Sequence, residues 1–139
     1  MNKEGAIILV EDDEDDQSLF SIIFSELGVK NEIIIFANGL EAYNYLTKSI
    51  PEPFLIISDI NMPIMNGIEL KKNLEINSNS NLLAVPFIFI STANPMDTEI
   101  IKTKKLGQGY FKKPNSLEDY RKTIKDLLEF WTAAMEPQF

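Results

Sequence analysis

Residues 6–12 read Ala6-Ile7-Ile8-Leu9-Val10-Glu11-Asp12, an apolar run that ends abruptly in two carboxylates. Apolar residues without polar alternation over so short a run are the pattern of a strand covered on both faces. A second run, Phe54-Leu55-Ile56-Ile57, is followed by Ser58 and a lone acid, Asp59. Acids at the tips of two buried strands are costly unless a cation lies between them. The simplest such cation is a divalent metal together with a lysine. A third run supplies the lysine: Tyr110-Phe111-Lys112-Lys113-Pro114.

Working outward, short apolar runs alternate with segments of helical period along the whole chain, the signature of a parallel α/β sheet. Strands are expected at 6–10, 32–37, 54–58, 86–90 and 109–112, and helices at about 15–27, 39–48, 66–77, 95–106 and 117–134. In the first helix Leu19, Ile22, Ile23 and Leu27 form the expected core face, and Gly28 is a C-terminal stop. Leu40, Tyr43 and Leu46 do the same in the second, and Ile68, Leu70, Leu74 and Ile76 in the third. Asn38 and Ser116 are expected N-caps, Pro95 a first-turn proline, and the stretch from Asn77 to Asn81 a loop. Five βα units make a doubly wound, five-stranded parallel sheet, flavodoxin-like (βα)5, with strand order 2-1-3-4-5. Right-handed connections then set the carboxyl ends of strands one and three side by side, where ligands of such sheets bind.

The chain's 139 residues suit one domain spanning 1–139, with a core over about 5–130 and a C-terminal helix extension and tail to 139. A net charge of −8 and a pI near 4.5 oppose nucleic-acid binding, because phosphate backbones would be repelled. The absence of cysteine and histidine excludes disulfides, thiolate chemistry, Ser-His-Asp hydrolysis and His-ligated metal sites. No run approaches the roughly 18 apolar residues of a membrane span, and the N-terminus lacks a signal-peptide core, so a cytoplasmic location with no membrane partner is expected.

Glu11 and Asp12, at the strand tip, suit Mg²⁺ (or Mn²⁺), which takes oxygen ligands and few carboxylates. The remaining acids of the run, Asp13 to Asp16, read as solvated charges favouring a helix N-terminus. Asp59 precedes a turn stiffened by Pro63, ahead of a helix starting near Asn66, which leaves its carboxylate free. A carboxylate beside a metal and a lysine can attack phosphorus and form an aspartyl phosphate. The backbone carbonyl of Asn61 is a further candidate metal ligand. Lys113 is held extended by Pro114 and is aimed across the strand ends, and Ser91 supplies a hydroxyl at the same edge.

Jointly, Ile8-Leu9-Val10-Glu11-Asp12, Asp59-Ile60-Asn61-Met62-Pro63-Ile64-Met65-Asn66-Gly67, Ile90-Ser91-Thr92-Ala93 and Tyr110-Phe111-Lys112-Lys113-Pro114 resemble the receiver domain of two-component response regulators, the CheY-like family. The resemblance covers nearly the whole chain. It implies that Asp59 is the phosphoacceptor, that Glu11, Asp12, Asp59 and the Asn61 carbonyl form the metal site, that Lys113 neutralises the phosphoryl group, and that Ser91 (with Thr92 as fallback) and Tyr110 form the switch. It implies a phosphodonor, either a sensor histidine kinase or a phosphotransfer protein, and slow autodephosphorylation. Glu11 stands where the family often has aspartate, and Thr92 is expected to narrow access to the acyl phosphate. The chain reads as a signalling switch rather than an enzyme, similar to small stand-alone regulators of phytochrome-type kinases.

Output is expected through protein–protein contact on the face of the fourth predicted helix, strand five and the last helix, with a homodimer possible. Phe130 and Trp131 are expected to cover the domain's own core, the alternative being an exposed aromatic patch. Three rivals share the fold or the nucleophile. A flavodoxin would need a phosphate loop where six acids stand, a haloacid-dehalogenase-type phosphatase would want an acid in place of Asn61, and a pseudo-receiver would lack part of the site.

Overall fold

The computed structural model describes residues 2–48, 50–77, 80–92 and 95–134. The strands are β1 (Ile7–Val10), β2 (Ile33–Phe36), β3 (Leu55–Ser58), β4 (Phe87–Ser91) and β5 (Gly109–Lys112). The helices are α1 (Glu14–Glu26), α2 (Gly39–Leu46), α3 (Gly67–Asn77), α4 (Ser80–Leu83), α5 (Pro95–Lys104) and α6 (Leu117–Ala134). All strand pairs are parallel and the order is β2-β1-β3-β4-β5. The expected sheet is therefore found. The short α4 was not expected, because its first two residues lie in the polar stretch from Asn77 to Asn81; residues 78 and 79 of that stretch, Ala93 of the fourth motif and the tail from 135 lie outside the described residues.

Alternation along the buried strands assigns each side chain to one of two cores. Ile8, Val10, Ile56, Phe87 and Phe89 join α2, α3 and α5 on one face. Ile7, Leu9, Leu55, Ile57, Ile88 and Ile90 join α1 and α6 on the other. β1, β3 and β4 are fully buried, whereas the edge strands β2 and β5 are only partly covered.

The helix ends follow their sequence signals. Asp13 caps α1, its carboxylate accepting from the N–H groups of Asp15 and Asp16 at 2.8 and 3.2 Å. Gly28, at φ 72°, closes the same helix with Val29 N–H donating to the Phe24 carbonyl at 3.0 Å. Asn38 caps α2, Ser116 caps α6, and Asn66 and Glu69 cap α3 reciprocally.

Some expected core faces are rotated. Phe20, Ile23 and Phe24 carry the burial of α1, while Ile22 is exposed and Leu19 and Leu27 are only partly covered. The two phenylalanines, four residues apart, offer more apolar surface than the aliphatic set and win the inward face. Leu40 and Ile76 are likewise exposed, with Ala42 buried beside Leu46. Trp131 packs against the core, but Phe130 is 62% exposed, so only one of the two closing aromatics behaves as expected.

The loop from β3 to α3 is gripped from both ends. Gly39 N–H donates to the Met65 carbonyl at 3.0 Å, and Gly67 N–H donates to the Ile60 carbonyl at 2.9 Å. A Cβ at Gly67 would lie 2.1 Å from the Asp59 carbonyl oxygen, a contact no side chain tolerates. Gly67→Ala should cost about 1–3 kcal/mol through this overlap, and displacement of Asp59 should also shrink the rise in Tm expected on adding MgCl₂. Gly28→Ala, whose Cβ meets open space but sits in the left-handed region, should cost about 1–2 kcal/mol and leave the Mg²⁺ response intact. Differential scanning fluorimetry with and without MgCl₂ checks both outcomes.

Candidate metal and phosphoryl site

Parallel register brings the strand tips together. Val10 pairs with Ser58, so Glu11 and Asp59 leave adjacent strands side by side, and Asp59 N–H donates to the Val10 carbonyl at 2.9 Å. Ser91 pairs with Lys112, and Lys113 N–H donates to the Ser91 carbonyl at 2.8 Å. Four chain segments thus present acid, acid, hydroxyl and ammonium along one edge.

Lys113 Nζ is the centre of the arrangement. It lies 2.8 Å from Glu11 Oε1, 2.8 Å from Asp16 Oδ2 and 3.1 Å from Asp59 Oδ2. The Asp16 and Asp59 contacts have hydrogen-bond geometry. The contact to Glu11 is an ion pair off the hydrogen-bonding direction, which leaves buried Glu11 Oε1 without a hydrogen-bond partner. Asp59 is almost fully buried, with Oδ1 accepting from the Ile60 N–H at 2.7 Å. Glu11 is buried as well, and Asp12 is exposed at the mouth.

The carboxylate oxygens of Glu11, Asp12 and Asp59 can lie within 4.8 Å of one another. An all-oxygen set with one buried oxygen lacking a hydrogen bond fits a hard divalent cation such as Mg²⁺ or Mn²⁺. Asn61 is exposed two residues beyond Asp59. Ser91 Oγ is buried without a hydrogen-bond partner, whereas Thr92 is exposed. Tyr110 is half-buried against the α2/α3/α5 core, and its hydroxyl is already buried without a partner.

The electrostatics follow from this crowding. Burial pushes the Glu11 carboxyl up to about 8, and the Asp59 charge adds to the shift while Lys113 opposes it. Burial disfavours the Lys113 ammonium, but its hydrogen bond to Asp16, its close pairing with Glu11 and the Asp59 charge outweigh that cost and hold the group above the ordinary lysine range.

Two neighbours of the site were not expected. Asp16 reads as a solvated helix charge, yet it contacts Lys113. The available signal was spacing: Asp16, Phe20 and Phe24 recur every four residues, so Asp16 is the N-terminal member of the buried stripe of α1. Tyr120, from α6, stacks edge-on against Phe20 at 5.7 Å and buries its hydroxyl without a partner. Burial raises its pKa, and the Asp16 charge raises it further.

A parallel α/β sheet that sets Glu11, Asp12, Asp59 and Lys113 at its carboxyl edge has the donor set of a divalent-cation site. The chain belongs to the response regulator receiver domain family of two-component systems, whose signature matches residues 7–125. It is 29% identical over 135 residues to the response regulator Rcp1 of Synechocystis sp., covering 94% of this chain and 90% of that protein. The phosphorylated cyanobacterial phytochrome response regulator RcpA has the same fold, with a TM-score of 0.84 over 98% of this chain and 99% of that one at 24% identity. The Mn²⁺-bound form of Rcp1 superposes with a TM-score of 0.78 at 27% identity, covering 91% and 94% of the two chains.

Because Glu11 belongs to the acidic set that fits a divalent cation, its raised pKa would make cation binding there depend on pH. Between about 4.5 and about 8 the folded chain keeps a proton that the unfolded chain releases, so this group's contribution to stability falls as pH rises. A metal must displace that proton below about pH 8, weakening its apparent affinity by about tenfold per pH unit. The Tm increase produced by MgCl₂ should therefore be small at pH 6 and reach its full size above pH 8, and Glu11→Gln should flatten the pH profile.

Proposed function

We propose that this chain is a phosphorylation-dependent switch that takes a phosphoryl group from a kinase phosphohistidine, or from a small acyl phosphate, onto Asp59 with Mg²⁺ or Mn²⁺ bound. The observation that carries the reading is the Lys113 ammonium held 3.1 Å from Asp59 Oδ2 beside Glu11. Asp59 Oδ2 attacks phosphorus in line, the bond from phosphorus to the donor's nitrogen or oxygen breaks, and the donor leaves with that electron pair. Glu11, Asp12, Asp59 and the Asn61 carbonyl would hold the cation, which would supply positive charge against the incoming phosphoryl oxygens. Lys113 takes one of those oxygens in a transition state that asks chiefly for positioning and charge neutralisation. Hydrolysis by water returns Asp59 to its carboxylate.

Ser91, with a buried hydroxyl lacking a partner, is the switch hydroxyl, and Thr92 is the fallback. Thr92 at the exposed rim slows water's approach, so Thr92→Ala shortens the phosphoryl lifetime. Tyr110 is the second switch residue: no hydrogen bond ties its hydroxyl in place, so the ring is free to follow Ser91. The altered face of α5, β5 and α6 then engages a protein partner, with the chain acting as one domain that modifies only itself.

Incubation with Mg²⁺ and acetyl phosphate should add one phosphoryl group to the intact mass. Asp59→Asn should add none, Lys113→Ala should slow the gain by roughly 10²-fold, and chelation of the metal should abolish it. A mass gain undiminished in Asp59→Asn would refute the assignment.

A further inference from the structure

Of the three carboxylates around Lys113, Glu11 and Asp59 belong to the candidate metal set, and Asp16 does not. A divalent cation held by Glu11 and Asp59 would compete with Lys113 for their oxygens. Asp16 has no such competitor. It projects from the first turn of α1 and keeps a hydrogen bond of 2.8 Å to Nζ, the shortest in hydrogen-bond geometry that the lysine makes. Its position is fixed from below, because Phe20, one turn on, is fully buried and clasped edge-on by Tyr120. A lysine side chain without a partner is spread over many rotamers, so the partner that stays decides where the ammonium points.

We infer that Asp16 is a positioning residue for phosphoryl transfer: it is the metal-independent anchor that keeps Lys113 aimed at Asp59 after the cation has claimed the other two carboxylates. This rests on the metal and phosphoacceptor reading given above. Asp16 touches neither phosphorus nor metal; it acts through Lys113. The Tyr120 hydroxyl is buried nearby without a partner, and the Asp16 charge is the strongest of the charges acting on it.

Double-mutant cycles test the anchor without relying on phosphorylation. Urea unfolding of wild type, Asp16→Ala, Lys113→Gln and the double variant is measured with and without saturating MgCl₂, alongside the matching cycle for Asp59→Ala and Lys113→Gln. The Asp16–Lys113 coupling should be on the order of tenfold in the unfolding equilibrium and persist with Mg²⁺, while the Asp59–Lys113 coupling falls. In otherwise wild-type chains at saturating Mg²⁺, Asp16→Ala should lower the rate of mass gain from acetyl phosphate by about tenfold. Asp16→Asn, which keeps an acceptor, should recover part of the rate, and the Mg²⁺ midpoint should not move. Loss of the Asp16–Lys113 coupling on adding Mg²⁺, or a wild-type rate in Asp16→Ala, would overturn the inference. A wild-type chain that neither gains stability from Mg²⁺ nor gains mass from acetyl phosphate would bring down the underlying reading, and the anchor with it, a signature that the variants alone cannot produce.

Discussion

One ammonium shared among three carboxylates is the interaction on which the site depends. Lys113 meets Glu11, Asp16 and Asp59 within 3.1 Å, so the cluster retains more negative than positive charge. Burying that imbalance without a cation is unfavourable, and the protein responds by holding the Glu11 carboxyl up to about 8. The same imbalance makes the pocket receptive to a divalent ion. Structure and chemistry here are two consequences of one charge count.

The fold's part is to make that count possible. Parallel pairing fixes Val10 beside Ser58 and Ser91 beside Lys112, so residues far apart in sequence leave the sheet at one edge. Buried β1, β3 and β4 hold the edge rigid, because shifting any of them by one residue would exchange the two cores. The β3–α3 loop adds a local constraint. Ile64 adopts φ 70° with Met65 N–H donating to the Pro63 carbonyl at 2.7 Å, an unfavourable conformation for a β-branched residue. The glycine contacts at 39 and 67 hold the loop against that strain.

Much of this was legible in the sequence because strand tips are easy to read. An apolar run ending in acid, and another ending in Lys-Pro, locate Glu11, Asp12, Asp59 and Lys113 without knowledge of packing. Ser91 over Thr92 followed from counting along β4, and the structure buries the first and exposes the second. Helix faces were less legible. In α1 nearly every turn offers an apolar residue, and which ones turn inward is settled by the size of Phe20 and Phe24 against the sheet. That choice rotates the helix and carries Asp16 into the site. Six acids in succession conceal that Asp16 joins Glu11 at Lys113, since local pattern cannot separate a solvated charge from one turned into the site. The short α4 and the outward Phe130 depend on tertiary packing in the same way.

The exposed acids from Asp12 to Asp15 follow directly on buried Glu11 at the tip of β1, and their field extends about a Debye length, roughly 8 Å, into physiological solution. Small cations are drawn in, while nucleotides and inorganic phosphate approach against a like-charged barrier. A run of like charge beside the strand tips therefore favours the approach of cations over free anions, by a margin that narrows as salt is added.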